Sequence, residues 1–319
     1  MKSSLTRRRF LRSAGLAGLI APVSDVLGEA WAQKKTGPSV SRREVSIFSK
    51  HLQWLDYKNM ADFAAECGFD GVDLTVRPGG HVEPANVARD LPLAVRAVQR
   101  TGKKVRMITT AIKEAVETHT KAILETAGQL QIECYRLGWY DYTTGMDTQA
   151  NLELVSEKLR ALAGLNRQYK VKGAYQNHAG LSVGAPVWDI ARILHDLNNP
   201  WMGCQYDIRH ATLEGGMSWS LGFEYIKPHI NSLDIKDFVW TQNEGRWEAE
   251  NVPLGKGMVD FKKYFNMIRT LPESVPISLH LEYPIGGAEH GNKSLSIPAE
   301  DLMKLMKADL DFVRKHLVA

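Results

Sequence analysis

Residues 231–238 read NSLDIKDF, and in an extended chain they sort into two unlike faces. Leu233 and Ile235 alternate with Ser232, Asp234 and Lys236, so one side is apolar and the other carries a carboxylate and an amine. The apolar side asks for burial in a core. The ionic side then needs an interior of its own, because a buried charge is costly unless something pairs with it. Which fold supplies that second interior is decided by the rest of the chain.

From residue 44 onward, short apolar strands alternate with amphipathic helices. EVSIFSK, FDGVDLTV, VRMITT, CYRLGWY, VKGAYQNH, MGCQYDIRH, INSLDIKDF and VPISLHLEY read as eight strands in order. Between the first two, Met60, Phe63, Ala64 and Cys67 recur at helical spacing over Tyr57–Cys67, and Gly68 stops the helix. Asp90 is expected to cap a helix with Pro92 in its first turn. Asp147 and Asp260 are expected to cap two others, and a last helix runs from Glu300 to Val318. Eight strands with intervening helices over about 275 residues is the rhythm of a (β/α)8 TIM barrel. A doubly wound open sheet is the competing reading; it is disfavoured because no strand leads into a G-x-G-x-x-G or P-loop turn.

The first 32 residues are set apart from that pattern. Arg7, Arg8 and Arg9, followed by Phe10-Leu11, precede a modest apolar run from Ala14 to Val23 and the A-x-A site Ala30-Trp31-Ala32. This stretch resembles a twin-arginine (Tat) signal, which implies a periplasmic or otherwise exported protein that meets the membrane only during Tat export. The expected organisation is a cleaved signal over 1–32, a linker over 33–43 and a barrel over 44–319. Lys2, Arg7, Arg8, Arg9 and Arg12 against Asp25 and Glu29 account for three of the chain's formal +4 charges. The mature chain is thus nearly neutral, and no electrostatic case for a nucleic-acid partner remains. Cys67, Cys134 and Cys204 are far apart, form no C-x-x-C pair and read as buried packing. No run of about 18 apolar residues suggests a membrane span.

In a parallel barrel, functional side chains project from the carboxyl ends of the strands. Those ends present Arg77 and His81, Gln176 and His178, Asp207 and His210, Asp234 and Lys236, and His280 and Glu282. The even spacings put Gln176 with His178, Asp234 with Lys236 and His280 with Glu282 on common faces. Trp240 follows strand seven and offers a flat surface for a sugar ring. Several carboxylates around one point call for a cation, and a divalent metal (Mn, Mg, Co or Zn) is one economical answer. A buried ion-pair network of Asp207, Asp234 and Glu282 with Lys236, Arg209 and the histidines is the other.

GFDGVDL (68–74), YDIRHA (206–211), DIKDF (234–238), VPLGKGMVDF (252–261) and LEY (281–283) together resemble the sugar phosphate isomerase/epimerase superfamily with its xylose-isomerase-like TIM barrel. The resemblance implies one metal held from strands five to eight, here by Gln176, Asp207, Asp234 and Glu282. It also implies proton transfer at a carbon next to a carbonyl. Gln176 stands where a Glu is usual and Asp234 where the H-x-K-D form has His; Gln cannot serve as a general base. Glu282 is then the expected base, with His178, His210 or Lys236 as the second proton carrier. Arg77, His81, His178, His280 and Trp240 are the expected substrate contacts. The expected partner is a small-molecule carbohydrate, and the chain is compatible with a homo-oligomer. Isomerisation or epimerisation leads; a lyase or hydrolase acting on keto-glycosides, or a non-catalytic sugar-binding barrel, is the alternative.

Overall fold

The computed structural model describes residues 43–318. The expected export signal over 1–32 and nearly all of the expected linker lie outside the described residues. Strands β1 (Val45–Phe48), β2 (Gly71–Val76), β3 (Lys104–Thr110), β4 (Cys134–Arg136), β5 (Lys172–Gln176), β6 (Met202–Asp207), β7 (Ile230–Ile235) and β10 (Ile277–Leu279) close into one barrel. Every pairing around it is parallel, from β1 against β2 to β10 against β1. The remaining strands, β8 (Asp237–Asn243) and β9 (Arg246–Val252), form an antiparallel hairpin outside it. The open-sheet reading is thereby excluded.

Helices α1 (Tyr57–Cys67), α2 (Val87–Arg100), α3 (Thr120–Gln129), α4 (Thr148–Tyr169), α5 (Val187–Leu197), α6 (Ile208–Gly215), α7 (Trp219–Ile226), α8 (Phe261–Ile268) and α9 (Ala299–Val318) connect the strands. Asp147 accepts the Ala150 amide and Asp260 accepts the Lys263 amide, so both expected caps form. Gly68 ends α1 at φ 95°, a conformation that favours glycine. Helix α2 differs from expectation: it starts at Val87, and Pro92 lies inside it. Val87 and Leu91 are buried on the same stripe as Ala94, Val95 and Val98. That extra buried turn offsets the hydrogen bond that Pro92 cannot donate.

Leu233 and Ile235 are fully buried on one face of β7, and Ser232 and Asp234 are equally buried on the other. Burying each aliphatic side chain is worth roughly 1.5–3 kcal/mol. The Asp234 carboxylate accepts from Gln176 of β5 and Gln205 of β6. Side chains from three strands meet in this way only inside the barrel. The second interior that NSLDIKDF requires is therefore the barrel lumen, while the helices cover its apolar face.

Several strands end earlier than expected, among them β4 at Arg136 and β10 at Leu279, so His280 and Glu282 lie just past the eighth strand of the barrel; at the sixth and seventh the chain also changes course. The sixth stops at Asp207, which accepts the His210 amide at 3.1 Å and caps α6, so Arg209 and His210 are helical. The seventh stops at Ile235, and the chain leaves the barrel at Asp237 to build the β8–β9 hairpin. Asp237 causes that exit: its carboxylate accepts the amides of Phe238, Gly255, Gly257 and Val259 at 2.8–3.2 Å. A Cβ on Gly257 would lie 2.2 Å from that carboxylate, so the loop needs glycine there.

Candidate active site

The carboxyl ends of β5, β6, β7 and β10 bring together a side-chain cluster of both signs. Lys236 Nζ lies 2.9 Å from Asp207 Oδ2 and 3.5 Å from Glu282 Oε2. Lys50, just past β1, bonds Glu282 Oε1 at 3.0 Å. Gln176 donates its amide to Asp207 Oδ2 at 3.0 Å and also to Asp234, while its Oε1 faces Arg136 Nη1 of β4 at 3.4 Å. Gln205 donates to Asp234 Oδ1 at 2.9 Å. On the far side of the lumen, Asp73 accepts from Thr109 and Ser278 and is satisfied by hydroxyls alone.

Burial and neighbouring charge set the protonation of these groups. Burial alone would raise Glu282, but Lys236, His280 and Lys50 outweigh it and hold the carboxyl well below its usual range. Burial would likewise depress Lys236, yet Asp207, Glu282 and Asp234 raise it, so it remains an ammonium. Desolvation, reinforced by Asp207, pushes Asp234 well up. Burial pushes His210 well below its ordinary value, and the nearby cations Lys236 and Arg209 add to this. Burial also depresses His178, with Lys236 contributing. His280 is pushed down to about 3 by burial.

Rings wall the cluster. His280 stacks on Phe48 with centroids 4.2 Å apart, and its Nε2 is 3.4 Å from Asp234 Oδ1. His178 packs against both His210 and Trp139, with centroids 4.2 and 4.3 Å away. The Arg136 guanidinium lies 4.5 Å over Trp139, and Arg77 lies 5.5 Å over Phe48. Exposure differs sharply among the acids: the side chain of Glu282 is 25% exposed, whereas Asp207 and Asp234 are at 0%.

Gln176, Asp207, Asp234, Lys236, His210, His280 and Glu282 thus converge, and His178 stacks at their edge. Arg77 reaches the Phe48 side. His81 serves the scaffold: its Nε2 meets the Leu52 carbonyl at 3.1 Å and its amide bonds Thr75 Oγ1. Trp240 stands on β8, 41% exposed, edge-on to Phe238. Lys50, His51, Arg136 and Gln205 join the cluster or its support without having been expected. Arg136 carried a readable signal, a charge within the apolar strand CYRLGWY, as did Lys50 at the end of EVSIFSK. His51 gave none. Its Nδ1 meets the Ala288 carbonyl and its Nε2 accepts the Leu281 amide, and both partners are more than 200 residues away.

Residues 61–316 match the model of the xylose isomerase-like TIM barrel family. The chain belongs to that family. No curated protein matches the xylose isomerase-like chain in sequence. Among solved structures it is similar to 3-keto-D-glucoside 4-epimerase from E. coli, at 13% identity, 86% of this chain, 100% of that one and a TM-score of 0.63. It is also similar to D-psicose 3-epimerase with D-tagatose from Clostridium cellulolyticum H10, at 14% identity, 86% and 99% coverage and a TM-score of 0.63. A third similar structure, from Mycobacterium smegmatis, is a xylose isomerase-like barrel in complex with magnesium, at 13% identity, 84% and 97% coverage and a TM-score of 0.60. At these identities the likeness establishes the shared barrel.

The four positions that the resemblance assigns to a metal do converge in this family member, but their donor chemistry does not suit a divalent ion. Gln176 brings a neutral amide to Asp207 and Asp234 in place of a carboxylate, and its Oε1 faces Arg136 Nη1 at 3.4 Å. An ammonium already bridges Asp207 and Glu282. Among the described residues, no group of three His, Cys, Asp or Glu side chains is placed to hold a metal ion.

Proposed function

We propose that this protein is an exported enzyme that moves a proton at a carbon next to a carbonyl of a carbohydrate. The observation that carries the reading is the accessibility of Glu282: it is the member of the carboxylate cluster that a substrate can meet. Glu282 accepts the proton, and the electron pair moves to the carbonyl oxygen. Lys50, at 17% exposure and 3.0 Å from Glu282, lies where it can donate to that oxygen. Two ammonium groups make Glu282 a weak base at rest. As negative charge grows on the substrate oxygen, Lys50 transfers its hydrogen bond there and Glu282 gains basicity, so the interaction strengthens toward the transition state. Trp139 and His178 offer flat faces beside the site for a sugar ring.

Delivery of a proton to the neighbouring carbon gives isomerisation, and delivery to the opposite face of the same carbon gives epimerisation, the reading supported by the similarity to sugar epimerases. One observation favours elimination instead: Gln176 occupies the place of a second carboxylate base. With a single carboxylate base, loss of a β-oxygen substituent from a keto-glycoside needs no second proton acceptor. The divalent metal implied by the resemblance is not required by this scheme. Export by the Tat route rests on residues 6–32 and puts glycosides within reach.

The test is deuterium exchange, followed by NMR, at carbons next to the carbonyl in a panel of ketoses and 3-keto-glycosides. Glu282→Gln should slow exchange by about 10²–10⁴-fold while leaving the fold intact. Binding of a sugar by the wild type without exchange, elimination or isomerisation would establish the non-catalytic alternative.

A further inference from the structure

We infer that the Lys236 ammonium is the resident cation of this barrel, placed where a divalent ion would have to sit between Asp207 and Glu282. Two carboxylates and a ring nitrogen surround Nζ: Asp207 Oδ2 at 2.9 Å, Glu282 Oε2 at 3.5 Å and His210 Nε2 at 3.1 Å, the last an acceptor in the tautomer that carries its proton on Nδ1. An ammonium has three N–H donors and no acceptor, so these contacts match its capacity. The residue is only 3% exposed.

The surrounding groups are arranged for an internal monocation. Gln176 is neutral and adds no negative charge to the centre, where its amide donates to Asp207 and Asp234. Asp234 is occupied by Gln176 and Gln205, with His280 Nε2 at 3.4 Å. Lys50, Arg77, Arg136 and Arg209 already stand around Asp73, Asp207, Asp234 and Glu282, each partly or fully buried. Adding a dication to Lys236 in that setting would leave surplus positive charge in a region of low dielectric. The cost of bringing carboxylates together, met in metal barrels by an ion from solution, is met here by a side chain encoded in DIKDF.

This assignment does not depend on the substrate, so it is tested by metal binding in the full chain rather than by activity. Protein stripped with EDTA is titrated with MnCl2 by calorimetry, and its thermal midpoint is measured with and without about 1 mM Mn²⁺. Wild type should show neither saturable binding nor a shift in midpoint. Lys236→Gln, which leaves the carboxylates without their ammonium, should bind one Mn²⁺ and gain several degrees on its addition. Lys236→Arg should behave as wild type. If Lys236→Gln is unfolded without metal, recovery of folded protein with one bound Mn²⁺ supports the assignment, and failure to recover overturns it. Stoichiometric Mn²⁺ in the wild type overturns it too, as does a folded Lys236→Gln variant that ignores the metal.

Discussion

Asp234 near the end of β7 and Asp237 at the start of β8 are three residues apart and both buried, yet their surroundings differ in kind. Asp237 is wrapped by four backbone amides from its own neighbour and the 255–259 loop. Asp234 meets side chains only: Gln176, Gln205 and His280, with Lys236 adding its field. Backbone donors are fixed in place by the fold, so the Asp237 clasp is a structural joint that holds the hairpin and loop to the barrel. Side-chain donors can be exchanged for a substrate or another ion, so the Asp234–Lys236 face can respond to what enters the lumen. Two carboxylates of equal burial thus divide into scaffold and site according to what solvates them.

The largest expected effect falls on the scaffold side. Asp237→Ala orphans four amide donors and should cost on the order of 5 kcal/mol, read as a lowered midpoint in urea. A comparable loss from Asp234→Asn, which keeps the shape and gives up one of the two accepted glutamine contacts, would break the contrast.

His51 gives the next effect. Burial holds its pKa down to about 3, and the neutral ring joins the Ala288 carbonyl to the Leu281 amide. With the folded-state value below the unfolded 6.5, its contribution is complete above about pH 6.5 and is lost as pH falls toward 3. The loss amounts to about 4 kcal/mol. His51→Gln can make both hydrogen bonds without titrating, so its unfolding free energy should fall less between pH 6.5 and 4 than that of the wild type.

Asp309 of α9 sharpens the comparison with a third buried carboxylate. It accepts from the Leu254 amide and the Tyr283 hydroxyl, too few donors to balance burial, and its pKa is pushed up to about 6. Its favourable contribution is present below pH about 3.8 and is lost as pH rises through about 6. Asp309→Asn should therefore stabilise the protein at pH 8 by about 3 kcal/mol and by almost nothing at pH 4. Trp240→Ala, on the exposed hairpin, should shift stability by less than about 0.5 kcal/mol. A rise in KM for a sugar substrate without that loss of stability would return Trp240 to the site.

Much of the site was legible because period-two alternation in a strand assigns each charge to a face. Gln176, Asp207, Asp234, Lys236, His280 and Glu282 follow from that rule alone once the strands are placed. Arg136 follows from it equally, since CYRLGWY puts a charge in an apolar strand. The β8–β9 hairpin was not legible, because Phe238-Val239-Trp240 continues the apolar pattern of β7. The break comes from amides near residues 255–259 that close on Asp237. Helix α6 was missed for a related reason: Asp207 serves at once as the last strand residue and as a helix cap.

Local periodicity and strand count, written in consecutive residues, determined the barrel, the helices packed on it and the inward face of NSLDIKDF. What solvates each inward charge was decided by tertiary structure, because the partners come from strands far apart in the chain and meet only on closure. The sequence alone left the cation between Asp207 and Glu282 open between a metal and a side chain. In the folded protein Lys236 Nζ stands 2.9 Å from Asp207, the position at which we place that cation.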